Sequence, residues 1–217
     1  LVAKSIIEEF DKKIEKTKVA IQGFGNVGRF TAAVCYEFGM KVVAISDITG
    51  MISDRNGLDI PELLKYKTIA EVPNHELEPA EDLFKTNCDI LIPAALGGVI
   101  KEDNYHLLNT QFIIEGANQP ITSEADRELR VSGVTIVPDI LANSGGVMGS
   151  YFEWTQNIQQ FSWDIEKFRK ELDSRMRKAF NTVRKTSEKY GVDYRSAAYI
   201  LAVSRVSEAF ASRGSLV

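Results

Sequence analysis

The feature that most constrains this chain is a run of six residues, Gly23-Phe24-Gly25-Asn26-Val27-Gly28. Before it stands Lys18-Val19-Ala20-Ile21-Gln22, which reads as a buried strand. After it, residues 26–38 place Val27, Phe30, Val34 and Phe38 on one helical face. Lys41-Val42-Val43-Ala44-Ile45-Ser46 then reads as a second strand. A strand, a glycine turn, a helix and a strand within about 30 residues make a βαβ unit. Such a unit builds a parallel sheet, because the crossover helix returns the second strand in the direction of the first.

Each glycine has a physical reason. Gly23 permits the tight turn out of the strand, Gly25 lets a ligand approach the backbone, and Gly28 lets the helix pack close to the sheet. With Asn26 and Val27 the helix begins, and its free N–H groups and dipole attract phosphate. A G-x-G-x-x-G alone is a weak signal. Here it has a strand before it, a helix after it and Asp47 at the end of the next strand, which together form a dinucleotide-binding fingerprint. Asp47 reads as an acceptor for the adenosine ribose hydroxyls, or else as a turn residue or helix cap. An acid there repels a 2′-phosphate, and Lys41 lies at the far end of that strand, so NAD is favoured and NADP is the alternative. Arg55 would compensate if its loop folded back over the site.

Further apolar runs at Asp89–Ile92, Phe112–Glu115 and Val134–Val137 are each followed by a turn and a helix candidate. Residues 50–57 read as a surface hairpin or loop, and Ile60–Tyr66 as a short helix opened by Pro61. The expected fold is α/β: a doubly wound, mostly parallel sheet of the Rossmann dinucleotide-binding type with C-terminal helices. At 217 residues one domain is expected, since length gives about 150 residues per domain. It divides into a leading helix at 1–16, a βαβ core at 17–142 and helices at 143–217. Of these, residues 144–158, 164–190 (stopped by Gly191) and 195–211 read as helices, the last well buried.

Ligands of doubly wound sheets sit at the carboxyl ends of the strands, which directs attention to the segments after them. Ala94 and Ala95 are small enough for a cofactor to lie against backbone. Asn118 offers a donor and an acceptor suited to a carboxamide, or caps its own turn. Asn143, beside Ser144-Gly145-Gly146, reads as a ligand contact or as a helix cap.

Lys plus Arg is 26 against 30 for Asp plus Glu, a net charge of -4, which argues against a nucleic-acid or anionic-membrane partner. Cys35 and Cys88 are isolated, as are His75 and His106, so neither a metal site nor a disulfide framework is expected. No run of about 18 apolar residues exists for a membrane span, and no signal peptide opens the chain, so a cytoplasmic setting is expected. The missing initial methionine reads as a trimmed or excerpted chain.

The glycine run with Ser46-Asp47, Ile92-Pro93-Ala94-Ala95, Glu115-Gly116-Ala117-Asn118 and Pro120-Ile121-Thr122 resembles the cofactor domain of the glutamate dehydrogenase family. So do Val137-Pro138-Asp139-Ile140-Leu141-Ala142-Asn143-Ser144-Gly145-Gly146-Val147, Ser150-Tyr151-Phe152-Glu153-Trp154-Thr155-Gln156-Asn157 and Ala197–Ala209. The resemblance implies oxidative deamination of glutamate to 2-oxoglutarate and ammonia, with hydride passing to a nicotinamide dinucleotide. It implies that Gly23, Gly25, Asn26, Val27 and Gly28 hold the pyrophosphate and that Asp47 meets the ribose. Ala94 and Ala95 would line the cofactor, with Asn118 and Asn143 near the nicotinamide end. Ser150 would bind the substrate's side-chain carboxylate, with Val147 packing beside it.

Members of that family carry a preceding substrate domain with a catalytic lysine and aspartate, and are usually hexameric. No segment here resembles that domain, so no catalytic residue is expected in this chain, and a homo-oligomer is expected only of a full enzyme. Met148-Gly149 replaces the pair of β-branched residues expected before the serine, which predicts a looser backbone at Ser150. Two other readings stand beside this one: a free-standing NAD-sensing module, and a domain of another amino-acid dehydrogenase.

Overall fold

A computed structural model describes residues 1–212. They form two compact units, one of residues 2–139 and the other of residues 140–212 with Leu1. In the first unit, helix α1 (Val2–Glu9) is followed by β1 (Lys18–Gln22), α2 (Asn26–Glu37), β2 (Lys41–Asp47) and β3 (Gly50–Ser53). Then come α3 (Ile60–Leu63), β4 (Ile90–Pro93), β5 (Phe112–Ile114), α4 (Ser123–Val131) and β6 (Thr135–Val137). A short helix α5 (Asp139–Ala142) begins at the boundary.

The six strands form one sheet in the order β3-β2-β1-β4-β5-β6, the order of the doubly wound dinucleotide-binding fold. All neighbours are parallel except β3, which pairs antiparallel with β2 as a hairpin strand, Asp47 opposite Gly50. Met51 and Ile52 are buried, so residues 50–53 are an edge strand with its side chains in the core rather than a surface loop. One sheet face carries Ala20, Ala44, Leu91 and Ile113 against Leu83, Ala125 and Leu129. Their neighbours Val19 and Ile21 point to the other face by strand alternation, where α2 packs on β1 and β2.

The expected face of α2 is corrected by the structure. Val27 is 51% and Phe30 71% exposed, while the buried residues are Gly28, Ala32 and Cys35. This stripe also has helical spacing, and at Gly28 nothing larger than glycine fits, since a β-carbon there would lie 1.8 Å from the Gly23 carbonyl oxygen. The leading helix is shorter than expected. It stops at Glu9, and the chain turns through Asp11 in the left-handed region (φ 52°) before a 3-10 turn at Ile14–Lys16. After β4 the only helical element before β5 is a 3-10 turn, Tyr105–Leu107.

In the second unit, α6 (Ser144–Gln159), α7 (Ile165–Tyr190) and α8 (Tyr194–Ser212) pack successively, α6 on α7 and α7 on α8. Asp164 caps α7 through the Lys167 amide at 2.7 Å, and Gly191 ends it at φ 63°. Met176, Phe180 and Val183 are its buried stripe. The well-buried α8 expected from composition is not found. Only Ala197 and Ala198 are buried, and Val203, Val206 and Phe210 are more than 60% exposed. Composition measures how apolar a helix is, not which neighbours cover it.

Cys35 and Cys88 are both buried, and burial pushes each thiol up to about 11 from its ordinary 9.0. Neither is expected to react with an aromatic disulfide reagent at pH 8 until urea unfolds the chain, which absorbance would follow. The raised values make the folded state hold its thiol protons longer than the unfolded state. Stability is therefore unaffected at neutral pH and falls as pH rises from about 9 towards 11.

Candidate functional site

The strand order reverses between β1 and β4, and the residues singled out in the first unit gather at the carboxyl ends of these and the adjacent strands. Gly23 leaves β1 at φ 108°, a conformation that side chains rarely adopt, and its amide donates to the Ser46 carbonyl at 2.8 Å. A β-carbon on Gly23 would lie 3.0 Å from the Ala94 carbonyl oxygen and 3.0 Å from the Ala95 methyl. On Gly28 it would lie 1.8 Å from the Gly23 carbonyl oxygen. On Gly25 it would meet nothing within 4 Å. Two of the three glycines are therefore closed by protein, and the middle one faces open space.

No side chain caps the start of α2 at Gly25, so the first helical amides, from Asn26 onward, have no side-chain acceptor. The loop, the uncapped helix start and the exposed methyl of Ala95 adjoin one another. Ala94 is held by its amide on the Gln22 carbonyl at 2.7 Å, and a β-carbon on Gly116 would come within 3.3 Å of its methyl. The turn bearing the exposed Asn118 is fastened on both sides. Ala117 donates to the Pro93 carbonyl at 2.9 Å, and Gln119 donates to Asp139 Oδ2 at 2.8 Å. The Asp139 amide in turn donates to Oε2 of Glu115, which is wholly buried at the end of β5, at 2.8 Å.

Asp47 ends β2, but its carboxylate is already at work within the chain. Oδ1 accepts the Thr49 amide at 2.7 Å and the Thr49 hydroxyl, and Oδ2 accepts the Ile69 amide at 2.8 Å. The turn-capping alternative is thus realised, and it leaves fewer acceptor positions for a ribose. Arg55 does not fold back over the loop. It lies with Lys18, Ser53 and Thr86 around a cleft of about 610 Å³ at the opposite, amino-terminal ends of the strands.

In the second unit Asn143 precedes α6 without a side-chain cap bond, and Val147 and Ser150 follow on the same helical face. Val147 is 76% exposed, and Ser150 Oγ donates to the Gly146 carbonyl at 3.2 Å. The helix runs unbroken through Met148-Gly149, so the looser backbone expected there is not found. Gly149 is explained by packing, since a β-carbon would lie 3.3 Å from the Phe168 ring.

Lys4, Lys12, Lys65 and Lys101 pair with Glu8, Asp89, Glu62 and Asp103, and the Glu62 contact raises the pKa of Lys65. A nucleophilic or basic lysine needs the reverse, a lowered pKa. Among the described residues no group of three or more His, Cys, Asp or Glu could hold a metal, and no helix is long and apolar enough to cross a membrane.

Sequence reading missed two residues that shape this site. Arg29 bonds the carbonyls of Leu64 and Tyr66, and Asp139 fixes the Asn118 turn. The signal for the first was a cation directly after the glycine run.

A parallel sheet in this order, with a glycine loop at its reversal point, defines the doubly wound α/β class of nucleotide-binding folds. Within that class the chain belongs to the Glutamate/Leucine/Phenylalanine/Valine dehydrogenase family, whose profile matches residues 1–214. It is 48% identical over 205 residues to the glutamate dehydrogenase of Thermotoga maritima, covering 92% of this chain and 49% of that protein. It is 44% identical over 205 residues to the NAD-specific glutamate dehydrogenase of Staphylococcus aureus, covering 93% and 50%. The crystal structure of a hetero-hexameric glutamate dehydrogenase from Thermus thermophilus superposes with a TM-score of 0.92 at 30% identity, covering 100% of this chain and 52% of that one. The chain thus spans about half the length of the relatives it matches.

Proposed function

We propose that residues 2–139 hold a nicotinamide dinucleotide and that the chain is the cofactor-binding part of a glutamate dehydrogenase. The observation that carries this is the contrast among the glycines: Gly23 and Gly28 are filled by backbone, while Gly25 stands open beside an uncapped helix start. That cradle fits a pyrophosphate, whose charge the α2 amides stabilise. Gly23, Gly25, Asn26, Val27 and Gly28 hold the phosphates, Asp47 meets the adenosine ribose, Ala94 and Ala95 line the cofactor, and Asn118 takes a carboxamide. Bound nicotinamide would supply the hydride acceptor for the α-carbon of glutamate. In the second unit, Asn143, Val147 and Ser150 share a helical face suited to cofactor and substrate contact, the exposed Ser150 hydroxyl exchanging its bond to the Gly146 carbonyl for one to a carboxylate.

NAD is the preferred dinucleotide. The Asp47 carboxylate repels a 2′-phosphate, Arg55 lies at the other end of its strand, and a relative is described as NAD-specific. The Thermus relative is described as hetero-hexameric, and we extend from it only that the full enzyme, here expected to be a homo-oligomer, assembles from several subunits.

Calorimetry of this chain is expected to give binding of NAD, tighter than of NADP. The chain alone is expected to produce no NADH from glutamate and NAD, because no segment of it resembles the substrate domain that carries the family's catalytic lysine and aspartate. Absence of dinucleotide binding would refute the proposal, and glutamate-dependent absorbance at 340 nm would refute the inactivity.

A further inference from the structure

Residues 64–70 are tied to the glycine loop through Arg29 at one end and to Asp47 at the other. Arg29, in the first turn of α2, places its guanidinium 4.7 Å from the centre of the Phe24 ring. Phe24 is the buried residue between Gly23 and Gly25. The two terminal nitrogens of the same guanidinium donate to the carbonyls of Leu64 and Tyr66, just past the end of α3, where helical carbonyls lack partners. A few residues on, the Ile69 amide donates to Asp47 Oδ2 at 2.8 Å, and the Ala70 amide donates to Thr49 Oγ1 at 3.1 Å. An ionised carboxylate offers about four acceptor positions. Thr49 fills those of Oδ1 with its amide and hydroxyl, and Ile69 fills one on Oδ2.

We propose that Arg29 is a positioning residue for the dinucleotide. It clamps residues 64–66 to Phe24 and thereby fixes the strap, residues 64–70, whose Ile69 amide orients the Asp47 carboxylate. The carboxylate keeps one acceptor position, on Oδ2, for one ribose hydroxyl. This rests on the dinucleotide reading given above and deepens it. The chemistry suits arginine: its planar fork spans two carbonyls while its face lies on an aromatic ring, and a lysine's ammonium does not reproduce that fixed fork. The loop that meets phosphate and the acid that meets ribose are thus tied into one unit, although neither touches substrate through Arg29.

The test compares the chain with Arg29→Met and Arg29→Lys, titrating NAD and its analogue lacking the adenosine 2′-hydroxyl by calorimetry. Arg29→Met is expected to weaken NAD about tenfold, the scale of one well-oriented charged hydrogen bond. The preference for NAD over the deoxy analogue is expected to collapse with it, and Arg29→Lys is expected to restore part of both. With Asp47→Ala already present, Arg29→Met should change affinity no further, because it acts through that carboxylate. Hydrogen exchange without nucleotide reads the clamp itself: amides 64–70 are expected to exchange faster in Arg29→Met. Unchanged NAD affinity with the hydroxyl preference intact, or full additivity with Asp47→Ala, overturns the proposal. Unchanged exchange overturns the clamp while leaving dinucleotide binding standing, whereas a wild-type chain that binds no NAD removes the functional reading and this inference with it. If Arg29→Met does not fold, as circular dichroism would show, Arg29→Lys carries the same comparisons.

Discussion

Gly28→Ala is expected to destabilise the sheet unit by about 3 kcal/mol, the upper range for forcing one carbon into a packed site. For a domain of this size that lowers the melting temperature by roughly 10 °C. The reason is the 1.8 Å between the added carbon and the Gly23 carbonyl oxygen. That neighbour is backbone at the end of a central strand, so relief requires α2 to move off β1. Gly25→Val is expected to do the opposite. Gly25 has an ordinary φ of −76° and nothing within 4 Å of the added carbon, so the melting temperature stays within about 2 °C. Dinucleotide affinity is nevertheless expected to fall at least a hundredfold, because the side chain occupies the space where phosphate approaches backbone. Differential scanning calorimetry and NAD titration on both variants separate the two roles. A Gly25→Val chain that binds NAD normally would sink the cradle assignment, and a Gly28→Ala chain of native stability would sink the close packing.

Glu115→Ala is expected to cost about 3 kcal/mol, again read by calorimetric melting. Glu115 is 0% exposed, and its Oε2 accepts the Asp139 amide at 2.8 Å. Removing the carboxylate takes away the acceptor of that part-buried amide and opens a cavity at the end of β5. The damage reaches the ligand side as well. Asp139 holds the Gln119 amide beside Asn118, so a weaker NAD affinity is expected along with the lower melting temperature. Glu115→Gln keeps an acceptor of the same shape and is expected to lose less than half as much. Equal losses in the two variants would mean that the carboxylate charge, not the hydrogen bond to Asp139, holds this turn.

Much of this was legible in the chain itself. The apolar runs at β1, β2, β4, β5 and β6 fall within a residue or two of the observed strands, because strands buried on both faces need unbroken apolar sequence. The glycine spacing announced the turn, and Ser150 could be placed on a helix from Ser144 onward, with Asn143 at its start. The ends of α7 were readable because Asp164 and Gly191 are chemically suited to capping and stopping a helix.

What the sequence determined by itself was therefore the architecture: continuous apolar strands, one glycine turn and capped helices admit few arrangements other than a doubly wound sheet. Only the tertiary structure decided which side of each element is used. Periodicity pointed to the larger stripe of α2, Val27/Phe30/Val34/Phe38, whereas the structure buries the smaller one, Gly28/Ala32/Cys35. The choice fell to the smaller one because the Gly23 carbonyl oxygen stands where any side chain on residue 28 would begin. Likewise Asp47 was visible as an acid at a strand end, but its capping by Thr49 and Ile69 depends on a segment more than 20 residues further along the chain. Arg55 was free to be placed at either end of the sheet until β3 paired antiparallel and carried it to the far one. Local pattern specifies what an element is, while steric exclusion and long-range hydrogen bonds specify what it meets.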